Sequence, residues 1–332
     1  MGAVYETLGA RRDAQRFPQR GKFIDIGGLK LNLNCVGSAR PTVVLENGLG
    51  VSSLGWINVQ PEIAKYARVC SYDRAGYGWS EPGKEPRTAL QIAKELKALM
   101  GAANEDGPYV LVGPSFGGFI VRVFAGQYPA VVAGMILVEA SHEDQRECVD
   151  RIIPPEAKKR RATDEERQKR HEQFDRLVEF VVSFFGINRL RSALNPDTSP
   201  PPFGWSKSLM DEFRYLDNQS KTKQAVAAEN SLATESGSQA RSAGSIGDRP
   251  LVVITGGRMR FRPDPLMSSE IQTQLRDLWI NELQGQLARL STRGRQIVLK
   301  DSGHLIQFER PDAVISAVRE VWLEASAGNR DR

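Results

Sequence analysis

The chain has 332 residues, 40% of them hydrophobic and 26% charged, with a net charge of +5. That length suits one large domain, or one domain carrying a sizeable insertion. Basic and acidic residues are interspersed, as where Lys158–Arg161 is followed by Asp164, Glu165 and Glu166; the pattern points to solubility and away from nucleic-acid binding. Cys35, Cys70 and Cys148 form no CxxC pair. The first two lie in apolar runs and read as buried thiols, which fits a reducing, cytoplasmic setting. No apolar run reaches the ~18–20 residues that span a bilayer, and the start lacks a signal-peptide core. Neither HExxH nor a Cys/His cluster occurs, and no GxGxxG follows a first strand, so neither metal nor nucleotide cofactor is expected.

The first ~20 residues are polar and Arg-rich, an amphipathic or loose arm. Phe23–Ile26 and Leu29–Leu33 flank Gly27 and Gly28 as a hairpin. Short apolar strands follow at Pro41–Leu45 and Ala67–Tyr72, then a helical pattern over 88–103, a strand at Tyr109–Val112, a helix over 117–129 and a strand over 134–138. Between about 145 and 248 the strand signal vanishes. This stretch is charged and helical early (156–182), then aromatic and broken by prolines, and its Ser/Gly-rich end (231–248) reads as a loop. Strands at Leu251–Ile254 and Gln296–Leu299 alternate with helices over 268–291 and 312–326. Alternation of this kind predicts an α/β fold: a mostly parallel sheet with helices on both faces. The boundaries expected are an arm (1–20), a core from 21–145 and 249–332, and a helical cap inserted at 146–248.

Gly113, Ser115 and Gly117 form a GxSxG directly between a strand and a helix. Glycines two before and two after the serine let backbones approach where a side chain would clash, and the helix N-terminus favours developing negative charge. A nucleophilic serine needs a base. Of the three histidines, His304 follows the strand ending at Leu299, where parallel strands present ligand-binding loops. His171 sits on a charged helical face. His142 falls in Leu137–Asp144, where a serine, a histidine and three carboxylates mimic a triad. Side chains along an extended segment alternate faces, so Glu139, Ser141 and His142 cannot join in one hydrogen-bonded chain. The acid that orients His304 comes from Glu139 or from Asp264 in the loop after Leu251–Ile254.

These motifs resemble those of the α/β-hydrolase superfamily with a cap domain. Besides the serine elbow, Asn47–Gly50 resembles the family's oxyanion loop, Asp73–Ser80 its D-x-x-G-x-G-x-S segment and Ser302–His304 its histidine loop. The resemblance spans roughly 22–145 and 249–326. It implies an oxyanion hole made from the backbone N–H groups of Leu49 and Phe116, and a purely loop-shaping role for Asp73–Ser80. The chain departs from the family in carrying Asn47 before Gly48 and Pro114 before Ser115. At the usual place of the aspartate it carries Gly257–Arg260. Glu139, at the tip of the preceding strand, is where some members supply the acid; a carboxylate there is costly unless paired, and it is preferred over Asp264.

The expectation is a serine hydrolase of carboxylic esters or lactones, working through Ser115, His304 and Glu139 without a cofactor. Gly48, Phe184, Phe185, Phe203 and Trp205 are candidate contacts for a small apolar or aromatic substrate, the aromatics doubling as core of the insert. Carbon–carbon bond hydrolysis, acyl transfer, or a non-catalytic ligand-binding homologue are the alternatives.

Overall fold

The structure is a computed structural model and describes residues 2–164, 166–167, 190, 194, 201–258 and 267–328. The expectations placed on His171, Phe184, Phe185 and Asp264 lie outside the described residues. Among those described, strands β1 (Lys22–Asp25), β2 (Lys30–Val36), β3 (Thr42–Leu45), β4 (Val69–Tyr72), β5 (Tyr109–Pro114), β6 (Val132–Val138), β7 (Leu251–Gly256) and β8 (Gly294–Leu299) form one sheet in the order β1-β2-β4-β3-β5-β6-β7-β8. The first hairpin and the β2–β4 pair are antiparallel, and the rest is parallel. Its turn needs Gly27 and Gly28, both at positive φ, where Asp25 accepts both N–H groups at 2.9 and 2.6 Å.

The central strands are apolar at every position because both faces are covered. Val43 and Leu45 face helices α2 (Gln60–Ala64) and α12 (Pro311–Gly328), whereas Val44 faces α3 (Ala89–Ala102) and α4 (Gly117–Gln127). Between β6 and β7 the described helices are α5 (Gln145–Ile152), α6 (Lys207–Asp217), α7 (Ser220–Ser231) and α8 (Ala233–Ser242), beyond a helical stretch at 155–164. After β7 come α9 (Ser269–Asp277), a π-helical turn (Leu278–Leu283) and α10 (Gln284–Ala288); α11 (Ile306–Glu309) precedes α12. No helix among the described residues is long and apolar enough to cross a membrane.

Two expectations are corrected. The stretch 231–248, read as a loop, ends α7 and forms α8. Its small residues serve close packing: Ala240 and Ser236 are fully buried. Ser236 Oγ and Gln239 Oε1 accept the first N–H groups of α3, from Ala89 and Leu90, at 3.0 and 2.8 Å. These two N–H groups, which have no partner within their own helix, are thereby satisfied by another helix. Second, Cys35 and Cys70 are not thiols. They lie directly opposite on antiparallel β2 and β4 and are joined as a disulfide, a pairing that spacing along the chain does not reveal; the cysteines therefore give no support to a reducing compartment. The N-terminal segment is a helix, α1 (Gly2–Arg16), tied to α6 through Arg16–Asp211, Arg20–Glu212 and a Phe17–Tyr215 ring stack at 5.5 Å.

Candidate active site

The strand order reverses around β3 and β5, which are paired side by side; the crevice beyond such a switch point is where open α/β sheets bind ligands. Asn47–Gly50 leaves the end of β3, and Ser115 leaves the end of β5. Ser115 sits at φ +48. Its N–H donates to Val138 O at 3.1 Å, and its carbonyl accepts the Ser141 N–H at 2.9 Å, so the turn is clamped to the end of β6. The flanking glycines are needed for space. A Cβ on Gly113 would lie 2.6 Å from Gly117 O, one on Gly117 2.6 Å from Asn47 O, and one on Gly118 2.6 Å from Ala140 Cβ.

The histidine loop brings His304 Nε2 to 3.1 Å from Ser115 Oγ, across 189 residues of sequence. Both residues are half-buried, so the pair remains open to a ligand. Its loop is anchored from behind: Gly303 N–H donates to Glu309 at 2.8 Å, and Glu309 is held by Arg258 at 2.6 Å. Gly256 and Gly257 make room for it, since a Cβ on either would fall within 2.4–2.6 Å of backbone atoms of Gly303 and Lys300.

Glu139 is 1% exposed, at the tip of β6, with φ +47. Its N–H donates to Ile254 O at 2.7 Å. The carboxylate crosses the end of β7, where Oε2 accepts the Gly256 N–H and Oε1 the Trp279 indole N–H, both at 2.8 Å. Trp279 and Glu309 carry no signal in the sequence, because one lies on a π-helical turn and the other looks like any helix-end carboxylate. His142 is engaged with its own neighbours: its Nδ1 accepts the Asp144 N–H at 3.1 Å, beside a two-pronged Arg122–Glu143 pair.

On the opposite side of Ser115 runs the Asn47–Gly50 loop. A Cβ on Gly48 would lie 3.7 Å from Ser115 Cβ. Neither Leu49 N–H nor Phe116 N–H is matched to an acceptor among the described residues. Asp73 holds the turn that follows this loop: its carboxylate accepts the N–H of Ser53 at 2.7 Å, the Asn32 amide at 2.8 Å and the N–H of Trp79 at 3.2 Å. Burial raises its pKa, and those donors oppose the rise. Phe203 and Trp205 pack with Phe213 against Phe308, which lies on α11 just beyond His304; the ring centroids of Phe203 and Trp205 are each 5.3 Å from that of Phe308. Cys35, Cys70 and Glu105 form the one group of metal-ligating side chains close together among the described residues; its sulfurs are bonded to each other and its carboxylate is held by Arg68.

Fold and site together define an α/β protein with a serine elbow faced by a histidine. The sequence model of the alpha/beta hydrolase fold family matches residues 41–311, and the chain belongs to that family. It is 25% identical over 308 residues to an AB hydrolase superfamily protein of Gibberella zeae, a match covering 85% of this chain and 86% of that protein. Over 122 residues it is 34% identical to an uncharacterized vacuolar membrane protein of Saccharomyces cerevisiae, covering 35% of this chain and 19% of the relative; the chain thus spans about a fifth of that protein's length. Among solved structures, a thermophilic esterase from Thermogutta terrifontis aligns with a TM-score of 0.57 over 92% of this chain and 99% of its own, at 22% identity, a likeness of fold.

Proposed function

We propose that this chain is a serine hydrolase of carboxylic esters or lactones, with residues 21–145 and 249–332 as its catalytic core and 146–248 as a cap. The observation that carries the reading is the 3.1 Å approach of His304 Nε2 to Ser115 Oγ on a strained strand-to-helix turn. In the neutral tautomer with Nε2 unprotonated, His304 accepts the hydroxyl proton as Ser115 attacks the carbonyl carbon. The N–H groups of Leu49 and Phe116 receive the oxyanion. His304 then protonates the leaving alcohol and activates water to release the acid from the acyl-enzyme. The aromatic cluster of Phe203, Trp205 and Phe308 favours an apolar or aromatic substrate.

For the acid we propose Glu139. Its support is a carboxylate buried at the strand next to that of the nucleophile, on a backbone in the left-handed region, a strain that persists where surrounding structure enforces it. Turnover of short- and long-chain p-nitrophenyl esters and of aryl lactones tests the whole reading. Ser115→Ala should lose at least about 10³-fold in kcat, and near-native turnover would refute it. Glu139→Gln should lose far more activity than Asp264→Asn; the reverse order transfers the role to Asp264.

A further inference from the structure

Arg74 lies within the Asp73–Ser80 segment, to which the family resemblance gives only a loop-shaping role. Its side chain is wholly buried, as are those of Glu46 and Glu229 that flank it. A guanidinium has five N–H donors in a fixed fork, and here each has an acceptor. Nη1 donates to Glu46 Oε1 at 2.8 Å and Asn47 O at 2.6 Å. Nη2 donates to Gly48 O and Glu229 Oε2, both at 2.9 Å, and Nε donates to Glu229 Oε1 at 3.1 Å.

Two of those acceptors are carbonyls of the oxyanion loop. Gly48 C=O and Leu49 N–H belong to one peptide unit, which is trans, so they point in opposite directions. Holding the carbonyl on Arg74 therefore fixes the direction of the Leu49 N–H and polarises it. Tyr77 extends the grip. Its hydroxyl donates to Glu229 Oε2 at 2.8 Å and accepts the Gly50 N–H at 3.3 Å, while the guanidinium lies 4.5 Å over its ring.

Glu229, which orients both Arg74 and Tyr77, belongs to α7 in the inserted segment. This helix is seated along the same loop from end to end. Lys221 donates to Ser80 O at 2.6 Å, Thr222 to Gly76 O at 3.1 Å, and Ala225 Cβ sits 2.6 Å from where a Cβ on Gly76 would be.

We propose that Arg74 is a positioning residue for the oxyanion hole, and that Glu229 makes this positioning conditional on α7 being docked. Lifting α7 removes the carboxylate that holds two of the five donors and leaves the Leu49 peptide free to rotate. The cap thus assembles the oxyanion hole as well as covering the site. The proposal rests on reading Leu49 N–H as an oxyanion donor.

The test compares wild type, Ser115→Ala, Glu229→Gln, Tyr77→Phe and Arg74→Lys with p-nitrophenyl butyrate, together with inhibition by an aryl trifluoromethyl ketone, whose serine adduct presents an oxyanion. In Glu229→Gln, kcat should fall by about 10- to 100-fold with little change in KM, since small misplacement of a donor is felt mainly in the transition state. Ketone affinity should fall by the same factor as kcat/KM, a correlation that loss of stability alone does not produce. Arg74→Lys, which keeps the charge but not the fork, should lose at least as much. A folded Glu229→Gln that keeps near-native kcat, or loses kcat with unchanged ketone affinity, overturns the proposal. Should either buried variant fail to fold, Tyr77→Phe decides by the same split. Wild-type turnover abolished by Ser115→Ala but indifferent to these variants refutes the positioning role alone. A wild type no more active than Ser115→Ala refutes the hydrolase reading, and this proposal with it.

Discussion

Ser115 is held at φ +48, where L-residues other than asparagine and aspartate seldom sit. The conformation costs roughly 1–2 kcal/mol. Ser115→Gly relieves it, partly offset by the greater freedom of glycine in the unfolded chain. Ser115→Gly should therefore be more stable than Ser115→Ala by up to about 1 kcal/mol in urea unfolding, although both lack the hydroxyl; equal or lower stability of the glycine variant would show an unstrained turn. The strain also explains what could be read at this scale. A tight turn between strand and helix demands glycines at fixed offsets, and those offsets are visible in the sequence. The contacts of Glu139 have no such local demand, as its indole partner Trp279 lies 140 residues away. Arg74 was equally opaque, because its five acceptors come from two separate segments, 46–48 and the distant Glu229.

Strands were legible because burial on both faces writes an unbroken apolar run, as in Val110–Val112 and Leu251–Ile254. Helix α8 was not, because it is stabilised by fit rather than by an apolar stripe. Ser236 and Gly237 lie against α3, α4 and Glu143. The positions differ in how much room they leave. A Cβ on Gly237 would meet Glu143 and Phe119 at 3.4–3.5 Å, ordinary contact distance. Gly237→Ala should then stabilise the protein by about 0.5–1 kcal/mol through helix propensity alone. Ala240 is fully buried, and Ala240→Leu should destabilise it by about 1–3 kcal/mol through overpacking. Thermal unfolding of the pair checks both signs; if both variants destabilise, the interface is tighter at Gly237 than its contacts indicate.

At the scale of the molecule, the sheet edge gathers Ser115, His304, Glu139 and the Asn47–Gly50 loop from the ends of four strands, and this convergence follows from strand order rather than from spacing along the chain. The inserted segment is the part least legible in sequence, and its seat on the core contains a costly group. Asp217 ends α6, where the helix dipole disfavours negative charge. It lines a cavity of about 390 Å³ shared with Gly50, Thr222, Lys223 and Asn230, and its buried Oδ1 has no hydrogen-bond partner among the described residues. Burial pushes its carboxyl up to about 7, against about 3.9 for an unfolded aspartate. Between those values the folded chain keeps a proton that the unfolded chain has lost, so this group favours folding less and less as pH rises from about 4 to 7. Above 7 the loss is complete, and below 4 it is absent. Asparagine carries no charge at either extreme. Asp217→Asn should therefore unfold a few degrees above wild type at pH 8, with the gap closing towards pH 4. A gap of equal size at both pH values would assign the effect to packing, and no gap at pH 8 would mean that the carboxylate is ionised in the folded chain without penalty.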